Sequence, residues 1–225
     1  MGRATPYRDL RNYENLQKGM YWGAGEYDIP VLMPVTECDV DQWLSFNFFK
    51  GCANPGKTGL HFFLDDYQFE RVWKQPDTYL PVFQRFGAVC TPDFSPYADF
   101  PKIIQLYNHY RKHWCGAYWQ ERGVKVIPTI TWSSPDTLEW CFDGEPVGGI
   151  VATSAVGMFD TSEHLLWLID GVKEMLNRLK PTKIIWKGRV PDEFADLQES
   201  GLICTIGSHV DKWRALEAEK ERKRA

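Results

Sequence analysis

The chain has 225 residues, the size of one substantial domain and enough to bury a core of its own. Its 26 Lys and Arg against 30 Asp and Glu leave a net charge of −4, which excludes a broadly basic nucleic-acid coat and confines any anionic partner to a local basic patch. With 44% hydrophobic and 25% charged residues it is neither disordered nor fibrous; ten Trp, ten Tyr and 13 Phe are the unusual counts, and burial in a core is the first use of such rings.

The longest uncharged stretch, residues 146–159, contains three glycines and falls short of the ~20 apolar residues of a membrane helix, so no membrane partner is expected. The polar start MGRATPYRDLRNYENL lacks the apolar run of a secretory signal, which points to the cytoplasm of a bacterial host cell. Cys38, Cys52, Cys90, Cys115, Cys141 and Cys204 are scattered without paired spacing and read as reduced thiols.

In chain order, a polar arm over residues 1–29 precedes an alternation of short β-rich runs and helical segments. Strands are expected at 30–35, 60–64, 88–90, 125–130, 150–153, 183–186 and 202–205. Helices are expected at 40–46, 69–73, 78–86, 100–122, 137–141, 162–180 and 192–199, with a charged C-terminal helix at 211–225. The helix at 100–122 has Asp99 as an N-cap and Gly123 as its stop; that at 162–180 has Thr161 or Ser162 as cap, an apolar face from Leu165 to Leu179, and Pro181 beyond its end. Strand followed by helix, repeated, is the signature of a single α/β domain with mainly parallel strands. Two architectures fit: a compact or incomplete TIM-like barrel, and an open doubly wound sheet. Both place ligands at the carboxyl ends of the strands.

The residues that follow the strands are therefore the site candidates. Asp66 and Asp93, from consecutive strands, are placed to act as general acid and base or to share a divalent metal, with Glu37 as a third carboxylate. Lys187 and Arg189 suit a phosphate or carboxylate. Trp132, Ser133, Ser154 and His209 complete the rim, with Phe94 and Tyr97 as further rings for ligand contact. In HFFLDDYQFE only one of the adjacent Asp65 and Asp66 can face a pocket if the strand continues, and Asp66 is taken. Each of these has a plainer reading, since loops at strand ends are polar in any fold and Asp before a helix is often only a cap.

Three further patterns are weighed and set aside. Residues 51–58, GCANPGKT, match GxxxxGK[ST], but Gly59 and a strand follow where a phosphate loop opens a helix. His109 and His113 lie four apart on the long helix, yet no carboxylate or cysteine at ligand spacing completes a set, so they are expected as surface or interface residues. No GxSxG elbow supports a nucleophilic serine.

HFFLDDYQFERVW, CTPDFSPYADFP, YRKHWCGAYWQERGVKVIPTITWS and CFDGEPVGGIVATSAVG, in that order over residues 34–189, resemble a family of bacteria, phages and mobile elements catalogued as domain of unknown function 4417. The resemblance implies a phage or mobile-element setting and brings no catalytic residue. A looser likeness is to the barrel enzymes that exchange a guanine base in transfer RNA or DNA, where an apolar strand also ends in Asp; their cysteine and histidine zinc set is not evident here. The reading that follows is an enzyme acting on a nucleotide or nucleic acid through Asp66 and Asp93, and its rival is a non-enzymatic protein that engages a host protein or sequesters a small ligand.

Overall fold

The structure, a computed structural model, describes residues 13–207. A short antiparallel pair, β1 (Gly23–Ala24) and β2 (Ile29–Pro30), precedes seven parallel strands. One sheet runs β3 (Gln42–Ser45), β4 (Thr58–His61), β5 (Ala88–Cys90), β6 (Val126–Ile127), and the other β7 (Ile150–Ser154), β8 (Lys183–Lys187), β9 (Ile203–Ile206). Just past β6, Thr129 bridges Ala152 in parallel, the Ile130 amide donates to Ala152 O at 2.8 Å, and the Ala152 amide donates to Pro128 O at 2.8 Å. Neighbours therefore follow chain order from β3 to β9. That is the order of a barrel wall, whereas a doubly wound sheet reverses at a switch point. No pairing closes β3 onto β9 among the described residues.

Alternation along the strands sorts their side chains into two faces. Outward, Leu60, Phe62, Val89 and Val126 pack on α1 (Glu70–Lys74), α2 (Pro76–Phe83) and α3 (Lys102–Glu121) through Val72, Phe83, Trp114 and Trp119. Val151, Ile184, Trp186 and Ile203 do the same against α4 (Ser162–Leu179), through Leu168, Val172 and Met175, on the side that also carries α5 (Ala195–Glu199). On the other face Ala88, Cys90, Ile127, Ile150, Ala152 and Ile185 form an inner cluster shared by both sheets, with Trp43, Cys204 and Ile206 against it.

Two expected elements differ. Of residues 30–35 only Pro30 lies in a strand, as the end of β2, and the first parallel strand is Gln42–Ser45, inside the segment expected as helix 40–46. The period decides: Trp43 joins the inner cluster, over Gly59, while its neighbour Leu44 packs outward, a two-residue alternation that a helix cannot produce. The long helix starts at Lys102 with Pro101 at its cap and no side-chain cap bond, not at Asp99; its end, at Gly123 with φ +80°, is as expected. α4 is capped by Thr161, whose hydroxyl oxygen accepts from the His164 amide at 3.0 Å. No helix among the described residues is long and apolar enough to cross a membrane. The helix expected over 211–225 lies outside the described residues.

Twelve of the 20 residues of α3 are buried, including His109, Arg111, Lys112 and His113. The surface expected for the two histidines is thus corrected: the helix is held between the sheet and a second layer made of Ile29, Leu32 and the 142–145 loop. The Leu32 amide donates to Gly144 O at 2.9 Å, and Gly116 packs on Leu32 and Thr91. Lys112 Nζ donates to Thr129 O at 2.7 Å and to Glu145 Oε1 at 2.9 Å. His113 sets Nε2 2.8 Å from the same carboxylate oxygen and Nδ1 2.8 Å from Pro30 O. All three side chains are sealed from solvent. Burial alone would raise the Glu145 carboxyl; His113 and Lys112 overcome it and hold the group below its ordinary value. Glu145→Ala would leave the buried Lys112 ammonium uncompensated and His113 Nε2 without its partner, and urea unfolding should show a loss of about 3–5 kcal/mol.

Candidate functional site

A cleft of about 550 Å³ opens at the carboxyl ends of β4 to β7, the rim on which α/β sheets of this order carry ligands. Past β4 it is lined by Phe63, Leu64 and Asp65; past β5 by Asp93, Ser95 and Tyr97; past β6 by Thr131, Trp132 and Ser133. Ser154 at the end of β7, the following Gly157 and Met158, and His164 and Trp167 of α4 close the other side.

Asp93 keeps an accessible edge on the cleft, but its Oδ1 is sealed from solvent and has no hydrogen-bond partner. Burial and then the nearby Asp66 carboxylate push this carboxyl up to about 7, against the pull of Lys112. Asp66 is held behind the wall: it opens a short 3-10 turn, Asp66–Gln68, and accepts the Ser95 amide at 3.1 Å and the Ser95 hydroxyl at 3.1 Å. Burial raises its carboxyl, and these bonds and Arg111 oppose the rise. The support continues outward. Asn108 Nδ2 donates to Ser95 O at 2.7 Å, Arg111 Nε donates to Asn108 Oδ1 at 3.0 Å, and Arg111 grips both Glu70 oxygens at 2.9 and 2.7 Å while stacking over Phe94 at 3.7 Å. The loop that bears Asp93 is thereby tied to α1 and α3.

Trp132 forms a wall, 9% exposed, with Nε1 donating to Trp167 O at 2.9 Å. Gly171 lets it lie against α4, since a Cβ there would run into the indole. Ser133 donates its hydroxyl to Gln105 Oε1 at 3.2 Å, and the Ser154 hydroxyl accepts from the Val156 amide at 3.2 Å.

Of the expected site residues, the structure thus brings Asp93, Trp132, Ser133 and Ser154 to one cleft. Asp65 lines it in place of Asp66, because β4 ends at His61 and the Leu64 amide folds back on Phe62 O at 2.7 Å, which breaks the alternation on which the choice rested. Glu37 is at the opposite end of the sheet, in a smaller depression with Ile150 and Lys183 at the starts of β7 and β8; the strand expected to carry it to the site rim does not form. Lys187 pairs in register with Ser154, on the inner face, and with burial as the larger cause it holds the buried His61 imidazole down to about 3. Arg189 is turned away by Gly188, at φ +97°, onto Phe159 at 4.9 Å and Asp192 at 3.6 Å. His209 lies outside the described residues. Phe94 is core, and Tyr97 lines the cleft. Residues 51–58 lead straight into β4 with Lys57 paired to Asp39, as the absence of a following helix required.

His164 and Trp167 were not among the expected residues. Their signal was positional: they occupy the first two turns of the helix that follows β7, and strand ends lie beside the starts of the next helices in this topology. Among the described residues the group of three possible metal ligands drawn together is His109, His113 and Glu145, not the Asp66 and Asp93 pair.

Because the folded chain favours protonated Asp93, its stabilising contribution is complete below the unfolded carboxyl range near ~4 and is lost as pH rises through about 7. Urea unfolding of wild type and Asp93→Asn from pH 4 to 8 should show the wild type losing stability relative to the variant over that interval.

A family model described as domain of unknown function (DUF4417) matches residues 21–201. The chain is 42% identical to the Gene 1 protein of Mycobacterium phage D29 over 166 residues, 73% of this chain and 61% of that protein, so the match spans less than two thirds of the relative. It is 40% identical to the Gene 1 protein of Mycobacterium phage L5 over 190 residues, 83% of this chain and 82% of that protein. No solved structure matches. The chain belongs to the DUF4417 family.

Proposed function

We propose that this DUF4417 protein is an enzyme that binds a nucleotide-class small molecule in the cleft and moves a proton on it through Asp93. The observation that carries this reading is Asp93, which keeps an accessible edge on a ligand-sized opening while its Oδ1 is sealed behind it without a partner. A buried acceptor without a donor costs roughly 1–3 kcal/mol, and a ligand N–H or O–H meets Asp93 at its accessible edge on the cleft, not at the sealed oxygen. A carboxyl held up to about 7 serves equally as acid and base near neutral pH.

The walls suit a base and its phosphate. Trp132, Trp167 and Tyr97 offer ring faces. The first turn of the 18-residue α4, with His164 on the cleft, presents the positive end of a helix dipole, and Lys187 stands next to Ser154. Asp66 acts through Asp93, as the like charge that raises it, rather than by touching the ligand. A non-enzymatic partner role draws on a different surface, the exposed Met20, Trp22 and Met33 beside the β1–β2 pair, and would leave the cleft idle.

A panel of nucleobases, nucleosides and 5′-monophosphates, followed by tryptophan fluorescence and by product detection, separates these readings. At least one member should bind; Trp132→Ala should weaken it at least ~10-fold, about 1.4 kcal/mol, while Asp93→Asn should retain binding and lose ~100-fold or more in turnover. Binding without conversion by the wild type would turn the reading to ligand capture, and a panel that fails to bind would remove it.

A further inference from the structure

The buried cluster on α3 holds more than an ion pair. His109, His113 and Glu145 each offer one ligand atom within 4.8 Å of the others, all three are buried, and none lines the cleft. Glu145 spends Oε1 on Lys112 and His113, whereas its Oε2 is sealed in the interior with no hydrogen-bond partner. An orphaned carboxylate oxygen beside two imidazoles is a ligand set short of its cation.

We infer that His109, His113 and Glu145 form a site for one divalent transition-metal cation of the zinc class. Two imidazole nitrogens and a carboxylate are a donor set that zinc accepts. The imidazoles are already oriented for it. His113 Nδ1 donates to Pro30 O at 2.8 Å with Nε2 on the Glu145 carboxylate, and His109 Nε2 donates to Asp143 O at 3.1 Å, which leaves its Nδ1 for a cation. Imidazole ligands in metal centres are aligned by such backbone acceptors. The ring centroids are 4.4 Å apart, and small side-chain rotations bring the set to the ~3.4 Å between ligands of a tetrahedral zinc bonded at ~2.1 Å. Gly144 allows the delivery: at φ +75° it turns the chain into Glu145, and a Cβ there would press on Pro30 O and on the His113 ring.

Binding is a proton exchange without redox change. The proton between His113 Nε2 and Glu145 Oε1 leaves to solvent, and a bond from that nitrogen to the cation replaces the N–H bond. Lys112 stays on Oε1 and Thr129 O, outside the ligand set, and fixes the plane of the carboxylate.

The test uses the full chain without a histidine tag, treated with chelator and titrated with Co²⁺, whose absorption reports tetrahedral ligation, then with Zn²⁺ in competition. Wild type should take up one equivalent and melt at higher temperature with Zn²⁺ present. His109→Gln retains an amide donor for Asp143 O and leaves the Lys112, Glu145 and His113 contacts in place; it should bind at least ~10-fold more weakly. Uptake by wild type well below one equivalent with an unchanged melting temperature, or equal affinity in His109→Gln, overturns the proposal and leaves a buried ion pair only. Should His109→Gln fail to fold, the wild-type stoichiometry and melting shift decide alone. Nucleotide binding at the cleft is a separate readout, so failure of either assignment is visible without the other.

Discussion

The fold turns on one carboxylate carried into the interior. Glu145 meets Lys112 and His113 where no solvent reaches, and three segments far apart in the chain converge there: the β2 carbonyl of Pro30, the Thr129 carbonyl past β6, and the 142–145 loop. Taking such charges from water is costly, and their mutual attraction repays it only where hydrogen bonds are nearly complete. That requirement makes the location of α3 specific to within the reach of a side chain, which apolar packing by Trp114 and Trp119 alone would not do.

The cleft inherits this specificity. Thr129, whose carbonyl receives Lys112, donates its amide to the Thr91 hydroxyl oxygen at 2.8 Å and its own hydroxyl to Thr91 O at 2.8 Å, and it bridges to Ala152 of the second sheet. Asp93 follows Thr91 by two residues and Trp132 follows Thr129 by three. The joint between the sheets therefore sets the separation of the carboxyl and the ring. The same Lys112 that neutralises Glu145 is the cation that partly restrains Asp93, so the structural network and the titrating group on the cleft share one charge.

Strands at 60–64, 88–90, 150–153, 183–186 and 202–205 were legible because each is a short apolar run ended by polar or turn residues, and the helices over 102–121 and 162–179 because their ends carry glycine, threonine and proline signals. The strand at Gln42–Ser45 was not. QWLS is four residues long and embeds its period in FNFFK, where three phenylalanines imitate a helical face. Asp65 and Asp66 were exchanged because alternation holds only while the strand lasts. Asp93 and Trp132 were legible as strand-end residues, but the unpartnered oxygen of Asp93 depends on what surrounds it, and no local pattern encodes that. Glu145 was invisible for the same reason in stronger form: it lies 32 residues from His113, in a loop whose direction is set by Gly144, and charge partners at such range leave no spacing to read.

The chain-order pairing of the strands has a consequence for synthesis. Each parallel strand meets its predecessor as soon as the intervening segment has been made, so the wall can grow in the direction of translation. α3 is the exception. It emerges with Lys112 and His113 already committed to its buried side, about thirty residues before Glu145, the counter-ion of Lys112, exists. A nascent chain that stops short of residue 145 would have to keep the Lys112 and His113 side of that helix wet, and α3 can be sealed on that side only once the 142–145 loop has been made.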